Sequence, residues 1–103
     1  MAFQNTKERY ASFGIATSIP PEIIDSFWAF IDNNLKGVFK LDNILVFRIL
    51  DNKKKTAIEY HDQKNKVRIV IDTPYTYDPF LPKVIYIVDN NGTETIILGH
   101  EIY

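Results

Sequence analysis

Residues Pro20 to Lys36, PPEIIDSFWAFIDNNLK, decide the fold class, because no other stretch of the chain sustains a helical period. At about 100° per residue, Ile23, Ile24, Phe27, Trp28, Phe30, Ile31 and Leu35 fall within an arc of roughly 160°. Asp25, Ser26, Ala29, Asp32, Asn33 and Lys36 fill the opposite side, and Asn34 is the one polar residue inside the apolar arc. The ends also suit a helix. Proline fits the first turn, Glu22 and Asp25 lie where the helix dipole favours negative charge, and Lys36-Gly37 supplies a cation and a C′ glycine. Ser18, just before the prolines, is expected to cap or orient the start of the helix. An apolar stripe this wide suits packing on a broad sheet better than a coiled-coil seam. Phe30 and Trp28 stand at its margins, and both are expected to be buried in part.

The rest of the chain supplies the sheet. Asn43 to Leu50 (NILVFRIL) is apolar on both faces except at Arg48, which marks a central strand. Thr56 to Asp62 and Lys66 to Asp72 alternate in polarity, and Lys83 to Asp89 and Glu94 to Leu98 flank Asn90-Asn91-Gly92, a strong hairpin signal. Tyr10 to Ala16 reads as a further short strand weakened by Gly14, and residues 1 to 8 as a loose N-terminal arm. Strands joined by short turns pair antiparallel, and one helix covers only one face of the result. The expected fold is therefore α+β. A single domain over residues 1–103 carries one amphipathic helix on a mainly antiparallel sheet of five to six strands.

Composition narrows the function. With 46% apolar and 24% charged residues the chain has the balance of a globular protein, and a formal net charge of −1 gives no general attraction to nucleic acid or membrane. There is no cysteine, hence no disulfide, thiolate metal site or cysteine nucleophile. No secretory signal or membrane-length apolar run is present, so a cytoplasmic location is expected. Asn91-Gly92-Thr93 matches a glycosylation sequon but reads as a hairpin turn.

Catalytic chemistry finds little support. His61 and His100 have no serine in a nucleophile-elbow setting, and neighbouring His61 and Asp62 point to opposite faces of a strand. Two histidines without cysteine give no metal-ligand spacing, and the four glycines are scattered singly, so no metal, cofactor or small-molecule substrate is expected. Two alternatives stay open. Lys53, Lys54, Lys55, Lys64, Lys66 and Arg68 on two hairpin turns could serve a nucleic-acid-binding module, although Asp51, Glu59, Asp62 and Asp72 dilute the patch. An enzyme site near His61 or Arg48 is the other.

The segment Thr73 to Pro82 (TPYTYDPFLP) departs from this economy. It holds three of the five prolines together with Tyr75, Tyr77 and Phe80, so it belongs to a loop or a sheet edge. Long aromatic loops either close over core or present anchors to a partner. Tyr75, Tyr77, Asp78 and Phe80, with Trp28 at the helix margin, are the candidate contact residues. A non-enzymatic protein-protein interaction module, binding a protein partner or a second copy, is the expected function.

Several residues together also suggest a family. Arg9-Tyr10 and Gly14, Ile19-Pro20 leading into a helix with Trp28 and Ile31-Asp32, Leu45-Val46-Phe47, and Thr95-Ile96-Ile97-Leu98 before Glu101 and Tyr103 form one such series. In this order the sequence resembles the small Gram-positive bacterial family catalogued as domain of unknown function 960. The resemblance covers the N-terminal half and the C-terminal strand, and not Ala57 to Pro82. It implies a bacterial cytoplasmic protein, allows carriage on mobile elements such as prophages, and transfers no catalytic residue.

Overall fold

The computed structural model describes residues 3, 6–38 and 40–101. Strands β1 (Glu8–Ala11), β2 (Ile44–Asn52), β3 (Lys55–Asp62), β4 (Val67–Thr76), β5 (Val84–Asn90) and β6 (Thr93–Leu98) form one sheet in the order β1-β6-β5-β2-β3-β4. All neighbours pair antiparallel except β1 and β6, which are parallel. The α+β class, with one main helix and a mostly antiparallel sheet, is as expected. β2 is internal, as its two apolar faces require, and β1, β2, β4 and β6 run one way while β3 and β5 run the other.

The main helix, α2 (Pro21–Phe30), continues as a wide turn over Ile31–Leu35 in which the Lys36 N–H donates to the Ile31 carbonyl at 2.8 Å. This i→i+5 turn replaces the regular helix expected to run on to Lys36. Residues in a wide turn advance less around the axis, so exposed Asn34 leaves the apolar side while Leu35 stays in the core. Ile23, Phe27, Phe30 and Ile31 form the buried stripe, and Trp28 is half-buried. Phe30 was expected to be half-exposed and is fully buried, because its ring and that of Phe27 both meet Phe47 edge-on at 5.6 and 5.4 Å. Ser18 does not cap this helix. The cap position is Pro20, whose carbonyl accepts from the Ile23 and Ile24 N–H groups.

The second departure lies at Tyr10 to Ala16, expected to be one strand. The strand stops at Ala11, and Phe13–Ser18 forms a short helix, α1, capped by the Ser12 hydroxyl, which accepts from the Ile15 N–H. Glu101 clamps this helix start, its Oε1 accepting from the Ser12 hydroxyl at 2.6 Å and from the Leu98 N–H at 2.9 Å. These bonds, the Ser12 hydroxyl first, hold the Glu101 carboxyl below its ordinary pKa. A side chain at Gly14 would meet the Leu98 side chain at 2.7 Å and the Glu101 carboxylate at 2.9 Å, so a larger residue there would have to push both side-chain ends aside. Within the expected arm, Phe3 is fully buried and donates its N–H to Asp89 Oδ2 at 2.8 Å. Met1, Ala2, Gln4 and Asn5 lie outside the described residues, as does Tyr103 of the family series.

The core sits between the helices and one sheet face, where Leu45, Phe47, Ile49, Ile58, Tyr60, Ile85, Ile87 and Ile96 are buried. Among the described residues neither α1 nor α2 lies over the opposite face. There Ile44, Val70 and Val84 remain well exposed beside Arg48.

Candidate interaction surface at one end of the sheet

The β2–β3 hairpin is closed by Lys53-Lys54, with φ of 52° and 69°. A two-residue turn with both φ values positive matches the twist of the strands, and it is ordinarily built from Asn-Gly. In lysine the left-handed conformation costs about 1–2 kcal/mol per residue. Two hydrogen bonds hold the turn. Asp51 Oδ1 accepts from the Lys54 N–H at 2.9 Å, and the Lys54 carbonyl accepts from the Tyr77 N–H at 2.8 Å.

That second bond docks the β4–β5 connection on the turn. From β4, at the sheet edge, the chain must pass the ends of β3 and β2 to reach β5, three inter-strand steps or roughly 14 Å. This crossing explains the length of a segment too long for a hairpin. Its first part, Thr73 to Thr76, belongs to β4, and Pro74 is tolerated because β4 is an edge strand. Beyond it, Asp78-Pro79-Phe80-Leu81 forms a tight turn. The Asp78 carbonyl accepts from the Leu81 N–H at 3.0 Å, Asp78 Oδ1 accepts from the Phe80 N–H at 2.9 Å, and proline at the second position presets the backbone. Leu81 is buried beneath the turn, while Phe80 is 92% exposed at its tip.

Phe13, the first residue of α1, is 83% exposed. β1 runs in the same sense as β4, but the two strands do not end level with each other. Through Ile96 and Ile87 the register sets Ala11 level with Leu45, near the start of β2 and roughly 20 Å along the strands from the lysine turn after Asn52, so the end with the lysine turn presents Phe80 while Phe13 stands on a different part of the surface.

The five residues singled out from sequence divide into three groups. Tyr75 and Tyr77 are half-buried and pack against the core, so they serve as the lid. Asp78 and Phe80 form the displayed turn. Trp28 stands apart, beside β1 at the opposite sheet edge from β4. The Arg9 guanidinium lies 4.9 Å from its ring centroid and donates to both Asp32 oxygens at 2.6 and 2.8 Å and, through Nε, to buried Glu94 at 2.9 Å. Asp32 first, then Glu94, holds the Arg9 pKa above its ordinary value, and Arg9 holds the Asp32 carboxyl below its own. The ring face of Trp28 is thus already engaged within the chain. Phe13 escaped sequence reading, although Ser12 before it is a helix-capping residue and would have placed it on the exposed first turn.

The six basic residues do not come together. Lys53, Lys54 and Lys55 lie at one end of β3, and Lys64, Lys66 and Arg68 at the other, roughly 25 Å away along eight residues. Arg68 is committed to Glu59, with Nε–Oε2 at 2.7 Å. His61 and Arg48 both line an open depression of about 430 Å³ on the uncovered face. Asp62, which also lines it, accepts from the Asn65 backbone, the Asn65 side chain and the Tyr60 hydroxyl. Among the described residues no three His, Asp or Glu side chains are grouped to hold a metal ion, and no helix is long and apolar enough to cross a membrane.

The fold is that of a small α+β protein with a six-stranded, mostly antiparallel sheet whose core lies on one face. The chain belongs to the family described as staphylococcal protein of unknown function (DUF960), whose model matches residues 8–101. It is similar to a crystal structure of a protein of unknown function from Enterococcus faecalis, at 38% identity and a TM-score of 0.90, over 94% of this chain and 92% of that one. No curated protein matches the sequence. The family resemblance read from Arg9 to Glu101 is thereby established, and the match spans the segment from Ala57 to Pro82 as well.

Proposed function

We propose that the protein is a cytoplasmic, non-enzymatic protein-protein interaction module whose contact surface is the sheet end bearing Phe80 and the Lys53-Lys54 turn. One observation carries this reading: Phe80 is 92% exposed on a turn fixed by two hydrogen bonds and a proline. A flexible loop would fold such a ring back onto apolar surface. A ring held rigidly in water forfeits that burial, and it loses little conformational freedom when a partner covers it. The strain in Lys53-Lys54 supports the same surface, since backbone strain collects where structure serves recognition. The separation of the lysine clusters weighs against a nucleic-acid groove as the alternative.

Affinity capture from native lysate tests the reading, comparing wild type with Phe80→Ala and with Phe13→Ala, which lies away from that surface. These side chains are exposed, so both variants keep their stability to within about 0.5 kcal/mol. A partner held by wild type and by Phe13→Ala and lost from Phe80→Ala is the expected result. Identical captured sets from wild type and Phe80→Ala overturn the assignment. Sedimentation of purified wild type and Phe80→Ala distinguishes a second copy from a different protein as that partner.

A further inference from the structure

A second feature borders the same sheet end. On the uncovered face, Arg48 stands opposite Val84 on one side and Glu59 on the other. Glu59 is buried and engaged by Arg68, and Arg48 makes no ion pair among the described residues. Beside Arg48 lies an open cleft of about 400 Å³, lined also by Leu50, Asp51, Tyr77, Lys83 and Val84. Its volume lies in the range of small-ligand sites, about 300–1,000 Å³.

The charges in this cleft do not cancel. Arg48 and Lys83 are both exposed and without an ion-pair partner among the described residues, against the single carboxylate of Asp51. One Asp51 oxygen already accepts from the Lys54 backbone. Leu50 and Val84 give the cleft an aliphatic floor beside the guanidinium, and Val84 is 39% exposed. A guanidinium grips a carboxylate through two parallel hydrogen bonds, and Lys83 adds a second cation.

We propose that this cleft binds a carboxylate carried on an apolar body, with Arg48 and Lys83 holding the carboxylate and Leu50 and Val84 receiving the aliphatic part. The carboxylate comes either from a free organic acid or from the C-terminus of a peptide. If it comes from a peptide, the inference rests on the reading of this sheet end as a contact surface and names the chemistry the surface takes.

Titration of the isotope-labelled full chain, followed by amide chemical shifts, tests it with four probes. These are hexanoate, hexanamide, a hexapeptide ending in leucine with a free carboxylate, and the same peptide amidated. Saturable shifts at Arg48, Leu50, Tyr77 and Val84 with at least one carboxylate, and none with its amide, are expected. Arg48→Gln and Lys83→Gln should each weaken that binding by about tenfold or more, as befits loss of a charge-assisted contact. Both residues are exposed, and the dispersion of the variant spectra verifies that they remain folded. Hexanoate binding alone identifies a free acid, and peptide binding alone identifies a chain terminus. Equal response to acid and amide, absence of any response, or binding unaffected by Arg48→Gln overturns the proposal. Repeating the titration on Phe80→Ala separates the two claims. Binding that persists there while capture is lost, or the reverse, assigns each failure to its own surface.

Discussion

Two hairpin turns of the same length and backbone geometry close opposite ends of the sheet, and they are built from different residues. Asn91-Gly92 joins β5 to β6 with φ of 53° and 98°, and Lys53-Lys54 joins β2 to β3 with φ of 52° and 69°. The first uses the residue types the geometry favours. Its Gly92 is buried, donates to Asp89 Oδ1 at 2.8 Å and accepts from the Lys7 and Glu8 N–H groups. The second forces the same geometry on two lysines and uses it to hold the crossing loop through the Lys54 carbonyl. The Asn91-Gly92 turn is thus the more favourable of the two, although Lys66, in the β3–β4 turn at its end of the sheet, also takes a left-handed φ of 53°. The Lys53-Lys54 turn sets two such lysines in succession, and its Lys54 carbonyl holds the segment that displays Phe80.

Exchanging the turns tests this contrast with the largest effect. Asn91→Lys/Gly92→Lys places two side chains in left-handed backbone and one of them in a buried position, and it should cost about 2–3 kcal/mol. Urea unfolding measures the change. A loss below 0.5 kcal/mol would show the two turns to be energetically alike and remove the contrast. The converse exchange is smaller and of opposite sign. Lys53→Asn/Lys54→Gly relieves the strain and should stabilise the fold by about 1–2 kcal/mol, with the Tyr77 N–H still bonded to residue 54. If the stabilised variant also retains partner capture, the strain is incidental to recognition. If capture falls while stability rises, the lysines themselves belong to the surface.

Much of this fold was legible in the sequence, and the part that was not depends on contacts distant along the chain. The helix could be read because Ile23, Phe27, Phe30 and Ile31 recur at the helical period, and β2 because both its faces are apolar. Asn91-Gly92 announced its own turn. Lys53-Lys54 did not, since lysine adopts that geometry only because the pairing of β2 with β3 leaves exactly two residues to close the hairpin. The short helix after Ala11 was misread for a related reason. Six residues cannot hold a helix alone, and α1 exists because Glu101, some ninety positions later, binds Ser12. The role of Thr73 to Pro82 followed only once the strand order was known. Phe80 could be nominated from the loop, but its exposure depends on Leu81 being the residue that turns inward.

The smallest effect concerns the third hairpin turn, between β3 and β4, at the same end of the sheet as Asn91-Gly92. Asp62 closes it, Oδ1 accepting from the Asn65 N–H at 3.2 Å and Oδ2 from the Asn65 side chain at 2.7 Å and the Tyr60 hydroxyl at 3.1 Å. Burial alone would raise the Asp62 carboxyl, but the donors from Asn65 and Tyr60 outweigh it and hold the pKa below the ordinary 3.8. The Tyr60 hydroxyl is shifted upward, by burial first and by the Asp62 charge second. A carboxyl lowered on folding stabilises the fold fully above its ordinary value, and that stabilisation drains away as pH falls through the lower folded value. Asp62→Asn should therefore cost about 1 kcal/mol at pH 7, and the gap between variant and wild type should close as pH falls below 3.8. Thermal unfolding from pH 7 to pH 2.5 checks both statements. A gap that stays constant across that range would mean that the Asp62 charge contributes nothing to this turn. The β3–β4 end would then owe its order to β pairing alone, and the contrast between the two ends would narrow to the Asn91-Gly92 turn.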